Sequence, residues 1–400
     1  MRKQIVVSAL IILFLLVGTA VAILFGKGYR FGLGGDGPIL SGTGLLVATS
    51  TPDGASVFIN GHLTTATDNT INLAPGVYDI KIFKDGYSEW QKKIIIKKEV
   101  VSKADALLFP TAPKLESITN IGILNPVIDP SKTKIAYAVA SQSAVKNGVY
   151  VLDMTSRPIL TLQSASTQIA SDTLSSFSQA EFLWSPDSAQ ILASISNIST
   201  TYLLKTNTLN ETPQDVTETL TSVNATWGKL KADKDKSLMD SLNKRLKKEV
   251  FENFDILEWS SDETKILYQA SRSATLSLVI TPELIGTNST PQVREIKKGG
   301  VYVYDIKEDR NYSILDGLPQ KSKPSAPLPV MWYPDSKHLV YIHGGKIDIM
   351  EYDAMNQTTV YAGPFVDGYV FPWPDATKLV ILTNLGNPSI TPNLYTIGLK

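Results

Sequence analysis

One short frame recurs five times along the chain, and its internal spacing never slips. The copies are Val127-Ile128-Asp129-Pro130-Ser131, Leu183-Trp184-Ser185-Pro186-Asp187, Glu258-Trp259-Ser260-Ser261-Asp262, Met331-Trp332-Tyr333-Pro334-Asp335 and Pro372-Trp373-Pro374-Asp375. Five positions after the Pro, or after Ser261 in the third copy, stands an aliphatic residue: Ile135, Ile191, Ile266, Leu339 and Leu379. The Pro-Asp pair suits a type I turn between two strands, with Pro presetting φ at the first central position and Asp or Ser bonding the local backbone. Trp184, Trp259 and Trp332 precede the turn and are expected to fill the space between neighbouring sheets. A phased repeat of this kind decides the fold before any local motif does.

Each copy is followed by a further run of β character, as in Gly148-Val149-Tyr150-Val151, Thr201-Tyr202-Leu203-Leu204, Gly300-Val301-Tyr302-Val303, Lys346-Ile347-Asp348-Ile349 and Asn393-Leu394-Tyr395-Thr396. That makes roughly four strands per unit. A four-stranded unit with a W-S-P-D turn and a later G-x-Y-V-x-D strand resembles the propeller repeats of TolB-like and WD40-like envelope proteins, over residues 114–400. The first copy lacks the Trp, and the last shifts it by one. The resemblance implies an all-β ring that closes on itself and so removes exposed sheet edges. The last copy ends in its third strand at Lys400, so closure demands an outer strand from the start of the module, around Leu115 to Thr119. Five copies predict five blades, and a sixth would have to be hidden in an insertion.

Two insertions break the period. In 226–254, Leu238, Leu242, Leu246 and Val250 fall at helical spacing, Ser237 and Asp240 have the form of a capping box, and Lys247 and Lys248 lie in the final turn. These signals predict one amphipathic helix. Its basic residues (Lys229, Lys231, Lys234, Lys236, Lys244, Arg245, Lys247, Lys248) suit an acidic partner or anionic lipid head groups, although the ordinary fate of such a run is a solvated face over a packed helix. The other insertion, 272–298, falls between the second and third strands of the third unit. It is expected to project from one rim, where long loops on rigid scaffolds carry binding.

At the other end of the chain, Ile5 to Phe25 is almost unbroken apolar sequence without a charge, about the length a helix needs to cross a bilayer. Arg2 and Lys3 precede it, while Lys27 and Arg30 follow, a slight bias toward a cytoplasmic N-terminus. Residues 1–26 are therefore read as a single-pass signal-anchor with the bulk of the chain extracytoplasmic. Ala20-Val21-Ala22 has the small-x-small form of a signal-peptidase site, so a cleaved signal is the competing reading; the apolar run continues past it through Phe25. Residues 27–44 are Gly-rich and unpatterned, as suits a flexible tether.

Between tether and repeats, residues 45–110 alternate short β-type runs with turn signals: Pro52-Asp53-Gly54, Asn60-Gly61, Pro75-Gly76 and Asp85-Gly86. About seven short strands point to a sandwich. The stretch S-T-P-D-G-A-S-V-F-I-N-G-H-L-T, followed by L-A-P-G-V-Y-D-I-K-I-F-K-D-G-Y, closely resembles the PEGA domain, with Asp53 where the family's name has Glu. The resemblance implies a small β-sandwich of surface-layer, envelope and sensor proteins, used as a binding or spacer unit, and it brings no active-site residue. Tyr87 and Trp90 are candidates for exposed contacts, though such aromatics more often pack.

Composition narrows the chemistry. Lys plus Arg number 38 and Asp plus Glu 38, leaving no overall field to concentrate on nucleic acid. Cys is absent, which removes disulfides, thiolate nucleophiles, Cys-containing metal sites and an N-terminal lipid-bearing Cys. Only His62, His338 and His343 supply imidazole, and His338 and His343, an odd number of strand positions apart, are expected on opposite faces. No G-x-S-x-G, P-loop, dinucleotide fingerprint, H-E-x-x-H or EF-hand pattern occurs. Propellers attached to serine peptidases need a separate hydrolase domain, and here the repeats run to Lys400. Asp187, Asp262, Asp335 and Asp375 have the residue type of a glycan hydrolase, but their place in the turn already gives each a structural reason to exist. Sequons at Asn197 and Asn356 carry little weight.

The expectation is a membrane-anchored binding or scaffold protein at the cell envelope, not an enzyme, without catalytic, cofactor or metal residues and with a protein or glycan partner. The alternative is a propeller enzyme acting on glycan or peptide through paired carboxylates in the channel. A sensor signalling inward is a third reading, and four residues before the helix are few for a cytoplasmic domain.

Overall fold

The computed structural model describes residues 2–26, 29–34, 37–155, 166–318 and 328–400. The chain divides into two compact units, Met1–Thr111 with Ile280–Gln292, and Ala112–Val279 with Val293–Lys400. Unit 1 opens with helix α1, Arg2–Gly26. Its stretch Val6–Leu24 is long and apolar enough to cross a membrane, and none of it is buried. The tether expected after it is a hairpin instead: Tyr29–Gly34 pairs antiparallel with Gly37–Gly42. Glycines hid the pattern, since Tyr29, Phe31 and Leu33 do alternate, and a ladder of backbone groups needs no side chain to form. Lys27 lies outside the described residues.

The rest of unit 1 is the expected sandwich. One sheet orders Asn69–Leu73, Gly44–Thr51 and Val101–Leu107; the other orders His62–Ala66, Ser56–Ile59, Gly76–Phe83 and Trp90–Ile96. Leu46, Ala48, Ala104 and Ala106 from the first sheet meet Val57, Ile80, Ile82, Ile94 and Ile96 from the second in one dry core. Asn60 and Gly61, at φ 50° and 81°, turn Ser56–Ile59 into His62–Ala66, the left-handed pair that a two-residue hairpin requires.

Unit 2 contains five four-stranded antiparallel sheets among its described residues. Sheet 1 is Leu124–Ile128, Lys134–Val139, Gly148–Asp153 and Ser166–Ser171; sheet 2 is Glu181–Trp184, Gln190–Ile195, Thr200–Lys205 and Gln214–Asp215. Sheet 3 is Phe254–Trp259, Lys265–Ala270, Val301–Asp305 and Arg310–Leu315; sheet 4 is Val330–Trp332, His338–His343, Lys346–Glu351 and Thr358–Tyr361. Sheet 5 is Val370–Pro372, Lys378–Thr383 and Asn393–Gly398, completed by Leu115–Ser117 from the beginning of the unit. The sheets form a β-propeller whose ring is shut by this strand, as the three-stranded last copy demanded.

Three joints of the ring are apolar. Ala136, Val149 and Val151 of sheet 1 pack on Trp184, Ile191 and Ala193 of sheet 2; Leu267 and Val303 of sheet 3 pack on Trp332 and Leu339 of sheet 4. Tyr137 and Leu152 of sheet 1 meet Phe371 and Val380 of sheet 5, so the first and last sheets share one core. The five phased aliphatics are all fully buried. Trp184 and Trp332 plug inter-sheet space and send their indole N–H to the Val127 and Glu258 carbonyls of the neighbouring sheet. Trp259 departs from expectation: it is half-buried against its own sheet and the inserted helices.

The predicted single helix is two, α2 at Leu220–Ser241 and α3 at Lys244–Asn253. Leu242 is extended, and the Asn243 side chain caps α3 by accepting the Leu246 N–H. Ser237 and Asp240 therefore lie inside α2 rather than at a cap, and Asp240 pairs with Lys247 at 2.5 Å. Trp227 of α2 packs on Leu192 of sheet 2 and on Val216 just after its last strand, while Leu246 and Val250 of α3 pack on Ile266 and Tyr268 of sheet 3.

Candidate binding surfaces

Every repeated turn has the same backbone. The N–H at residues 132, 188, 263, 336 and 376 donates to the carbonyl three residues earlier, and the N–H at residues 129, 185, 260, 333 and 373 donates to the carbonyl five residues later. The third residue of each copy after Asp129, Ser185, Ser260, Tyr333 and Trp373 is left-handed: Lys132, Ser188, Glu263, Ser336 and Ala376 have φ between 56° and 61°. A type I turn followed by a left-handed residue adds the twist that joins two strands of a blade.

The turn aspartates complete this geometry. Asp187 accepts from the Ser185 hydroxyl and the Ala189 N–H, Asp262 from the Ser260 and Thr264 hydroxyls, and Asp375 from the Thr377 hydroxyl and N–H. Asp335 accepts from the Lys337 and His338 N–H groups and the His338 ring. In the first copy the carboxylate has moved to Asp129, which still takes the Thr133 and Lys134 N–H groups at 2.7 Å each. The Ser185 hydroxyl and Ala189 N–H hold Asp187 below the ordinary carboxylate range. Burial opposes ionisation of Asp262 and Asp335, yet Ser260 and Thr264 in the one case and His338 in the other hold each below that range too. These carboxylates are spent on their own turns, in line with the structural reading of the repeat.

The turns also bind one another. Ser131 N–H donates to Ser188 Oγ at 3.3 Å, Asp262 N–H to Ser336 Oγ at 3.1 Å, and Tyr333 Oη to the Ala376 carbonyl at 2.6 Å. Lys132 reaches past its neighbours to pair with Glu258 of sheet 3, whose other carboxylate oxygen accepts the Trp332 N–H of sheet 4. Burial pushes the Lys132 ammonium down to about 8. No local spacing in the sequence signals this pair, because its members sit in non-adjacent repeats.

The histidines stay apart. His338 bonds Asp335, whereas His343 bonds Asp348 at 2.8 Å across its hairpin and stacks on Tyr341. No group of three or more His, Asp or Glu positioned to hold a metal occurs among the described residues. Trp90 is core and Tyr87 packs against it, so neither is the exposed contact considered from sequence. The Asn356 amide is bonded to Glu351.

The connections at the opposite end of the blades carry the insertions. Strands two and four of a blade run the same way, so the link from sheet 2 to sheet 3, which holds α2 and α3, emerges at the same end as the link between the second and third strands of sheet 3. The two meet there: Leu276 and Ile296 join the α3 core, Arg272 donates to Asn253 and Glu252, and Ser277 N–H donates to Glu249. From the link between the third and fourth strands of sheet 3, buried Asp309 accepts from Val279 N–H, Arg294 and Tyr304 Oη, while Asn311 at the start of the fourth strand accepts from Tyr268 Oη and donates to the Val293 carbonyl, so the insertion is held along that strand.

The middle of this loop corrects the rim expectation for 272–298. Residues Ile280–Gln292 belong to unit 1, where Ser289 Oγ accepts the Ile95 N–H at 3.0 Å and Gly286 lies against Val100. The physical reason is the edge position of Trp90–Ile96, whose outward N–H groups need acceptors.

Residues 43–111 match the PEGA domain family. No curated protein matches the chain. Among solved structures, the putative TolB from Agrobacterium tumefaciens is 13% identical, covering 69% of this chain and 72% of that one, with a TM-score of 0.22. TolB from Acinetobacter baumannii is 12% identical over 81% of this chain and 60% of that one, at 0.18. The Myceliophteria thermophila Cps50 (Swd1) β-propeller domain is 10% identical over 72% of this chain and 100% of that one, at 0.25. The propeller assignment here rests on strand order and the closing strand, not on these likenesses.

Proposed function

We propose that this chain, a PEGA module followed by a β-propeller, is held in a membrane by α1 and works outside the cytoplasm as a binding scaffold for an envelope protein or glycan. The observation that carries the reading is Val6–Leu24, wholly unburied, on a chain whose β modules each complete a core without it. Its support for binding over hydrolysis is that the turn carboxylates are engaged by their own turns. The contact surface is placed at the insertion end, because those connections differ from blade to blade while the turns repeat.

Fractionation of cells expressing the full chain, combined with protease added from outside, tests the topology. The chain should resist carbonate extraction and lose both β modules to external protease. Recovery in the soluble fraction, or protection of the propeller, sinks the anchor. Affinity capture with the detergent-solubilised chain should then retain an envelope component, and replacing α2 and α3 by a short link should release it; capture that survives the replacement sinks the placement of the surface.

A further inference from the structure

Helix α3 has two unlike faces. Leu246, Val250 and Asn253 are buried against sheet 3, while the opposite pole carries Phe251, 86% exposed, with Lys244, Lys247 and Lys248 within the two turns before it. Residues three and four apart on a helix are surface neighbours, so the ring is framed by lysines. Phe251 is more open to solvent than Phe14 of α1, at 77%, which is apolar enough for lipid. On α2, residues 231–237 are all exposed, adding Lys231, Lys234 and Lys236. Lys231, Lys247 and Lys248 have carboxylate partners; Lys229, Lys234, Lys244 and Arg245 have no ion pair among the described residues.

We propose that the pole of α3, with the lysines of α2, docks on an anionic lipid surface. An aromatic ring seats at the boundary of head group and acyl chain, and long lysine stems lie along apolar surface while their ammonium groups reach lipid phosphates. The observations favour lipid over an acidic protein for two reasons. The apolar element is one protruding ring rather than a groove, and the chain itself carries a spanning helix that keeps a bilayer at hand. The inference rests on the membrane-held reading and adds a second lipid contact to it.

The test uses the full chain reconstituted in vesicles, with Phe251→Trp as reporter over the six native tryptophans. In vesicles containing phosphatidylglycerol, the added emission should be blue-shifted and quenched by brominated lipid. It should revert toward solvent-like emission when salt is raised or when Lys244→Glu and Lys248→Glu are introduced. Solvent-like, unquenched emission overturns the proposal, as does equal quenching in pure phosphatidylcholine, which removes the electrostatic component. Crosslinking of this pole to an acidic protein without quenching overturns it in favour of that partner. Carbonate resistance of the same vesicles reports on α1 alone, so failure of the anchor and failure of the docking are read separately. Circular dichroism of the Lys244→Glu, Lys248→Glu variant confirms that its helices persist.

Discussion

Thr119 is the most exposed weakness of the ring closure to a single methyl-for-hydroxyl exchange. It is 8% exposed; its hydroxyl donates to Asn393 Oδ1 at 3.0 Å and accepts the N–H of fully buried Leu394 at 3.0 Å. Thr119→Val keeps the shape, removes both bonds and leaves the Leu394 N–H without a partner. Asn393 Oδ1 retains the Gly122 N–H at 2.9 Å, so its loss is partial. An unpaired buried donor costs about 1–3 kcal/mol and a neutral hydrogen bond about 1, giving roughly 2–4 kcal/mol in total. At about 2–4 °C per kcal/mol for a large domain, Tm of the propeller should fall by roughly 4–16 °C. Hydrogen exchange should quicken first in the strands Leu115–Ser117 and Asn393–Gly398, and Thr119→Ser should behave as wild type. An unchanged Tm with unchanged exchange in those strands would refute the closing role.

Other changes test neighbouring parts of the same reading. Ser117 and Tyr395 are register partners between the hydrogen-bonded rows, and the chain has no native Cys, so Ser117→Cys with Tyr395→Cys should oxidise to one intramolecular disulfide seen by non-reducing mass analysis; failure to form it would displace the closing strand. Glu263 is exposed and left-handed at φ 56°, so Glu263→Gly should relieve strain and stabilise by up to about 1 kcal/mol, where a loss of stability in a denaturant titration would contradict the turn geometry. Asp187, Asp262 and Asp335 have lowered folded pKa values, so their contribution is complete above the unfolded carboxylate value of about 3.9 and is lost as pH falls through the folded values. Asp305, raised by burial, works in the opposite sense. Tm should therefore drop steeply below about pH 4, less so in Asp335→Asn, and a flat profile down to about pH 2 would count against the turn carboxylates as supports.

The ring was legible because Pro, Asp and a following aliphatic residue each have a local reason to stand where they do. The left-handed residue of the turn was not, since Lys132, Ser188, Glu263, Ser336 and Ala376 share no chemistry and take that conformation from bonds on both sides. Helical spacing continues unbroken from Leu238 through Leu242 to Leu246, so periodicity alone could not reveal the extended Leu242 or the capping role of Asn243. Glycines concealed the hairpin of Tyr29–Gly34 and Gly37–Gly42 because backbone pairing leaves no compositional trace. Lys132 with Glu258, and Ser289 with Ile95, are joined only by the fold; nothing in the spacing of residues so distant in sequence anticipates either contact.

These two kinds of residue also separate by place, and that separation bears on function. At the turn end of the blades, five copies repeat one backbone; the turn carboxylates bond their own turn, Ser131, Asp262 and Tyr333 bond the next, and Lys132 reaches Glu258 of sheet 3. Among the described residues of these turns, Asp129, Asp187, Asp262, Asp335 and Asp375 are already engaged in holding the ring. At the other end the links differ in length and character, and the insertion of sheet 3 is bound along the fourth strand of its own sheet by buried Asp309 and Asn311 through Val279, Arg294 and Val293. On the proposed scaffold reading, a ring with one repeated end and one elaborated end lets recognition diversify without disturbing the core, and the partner is expected at α2, α3 and the segments packed on them.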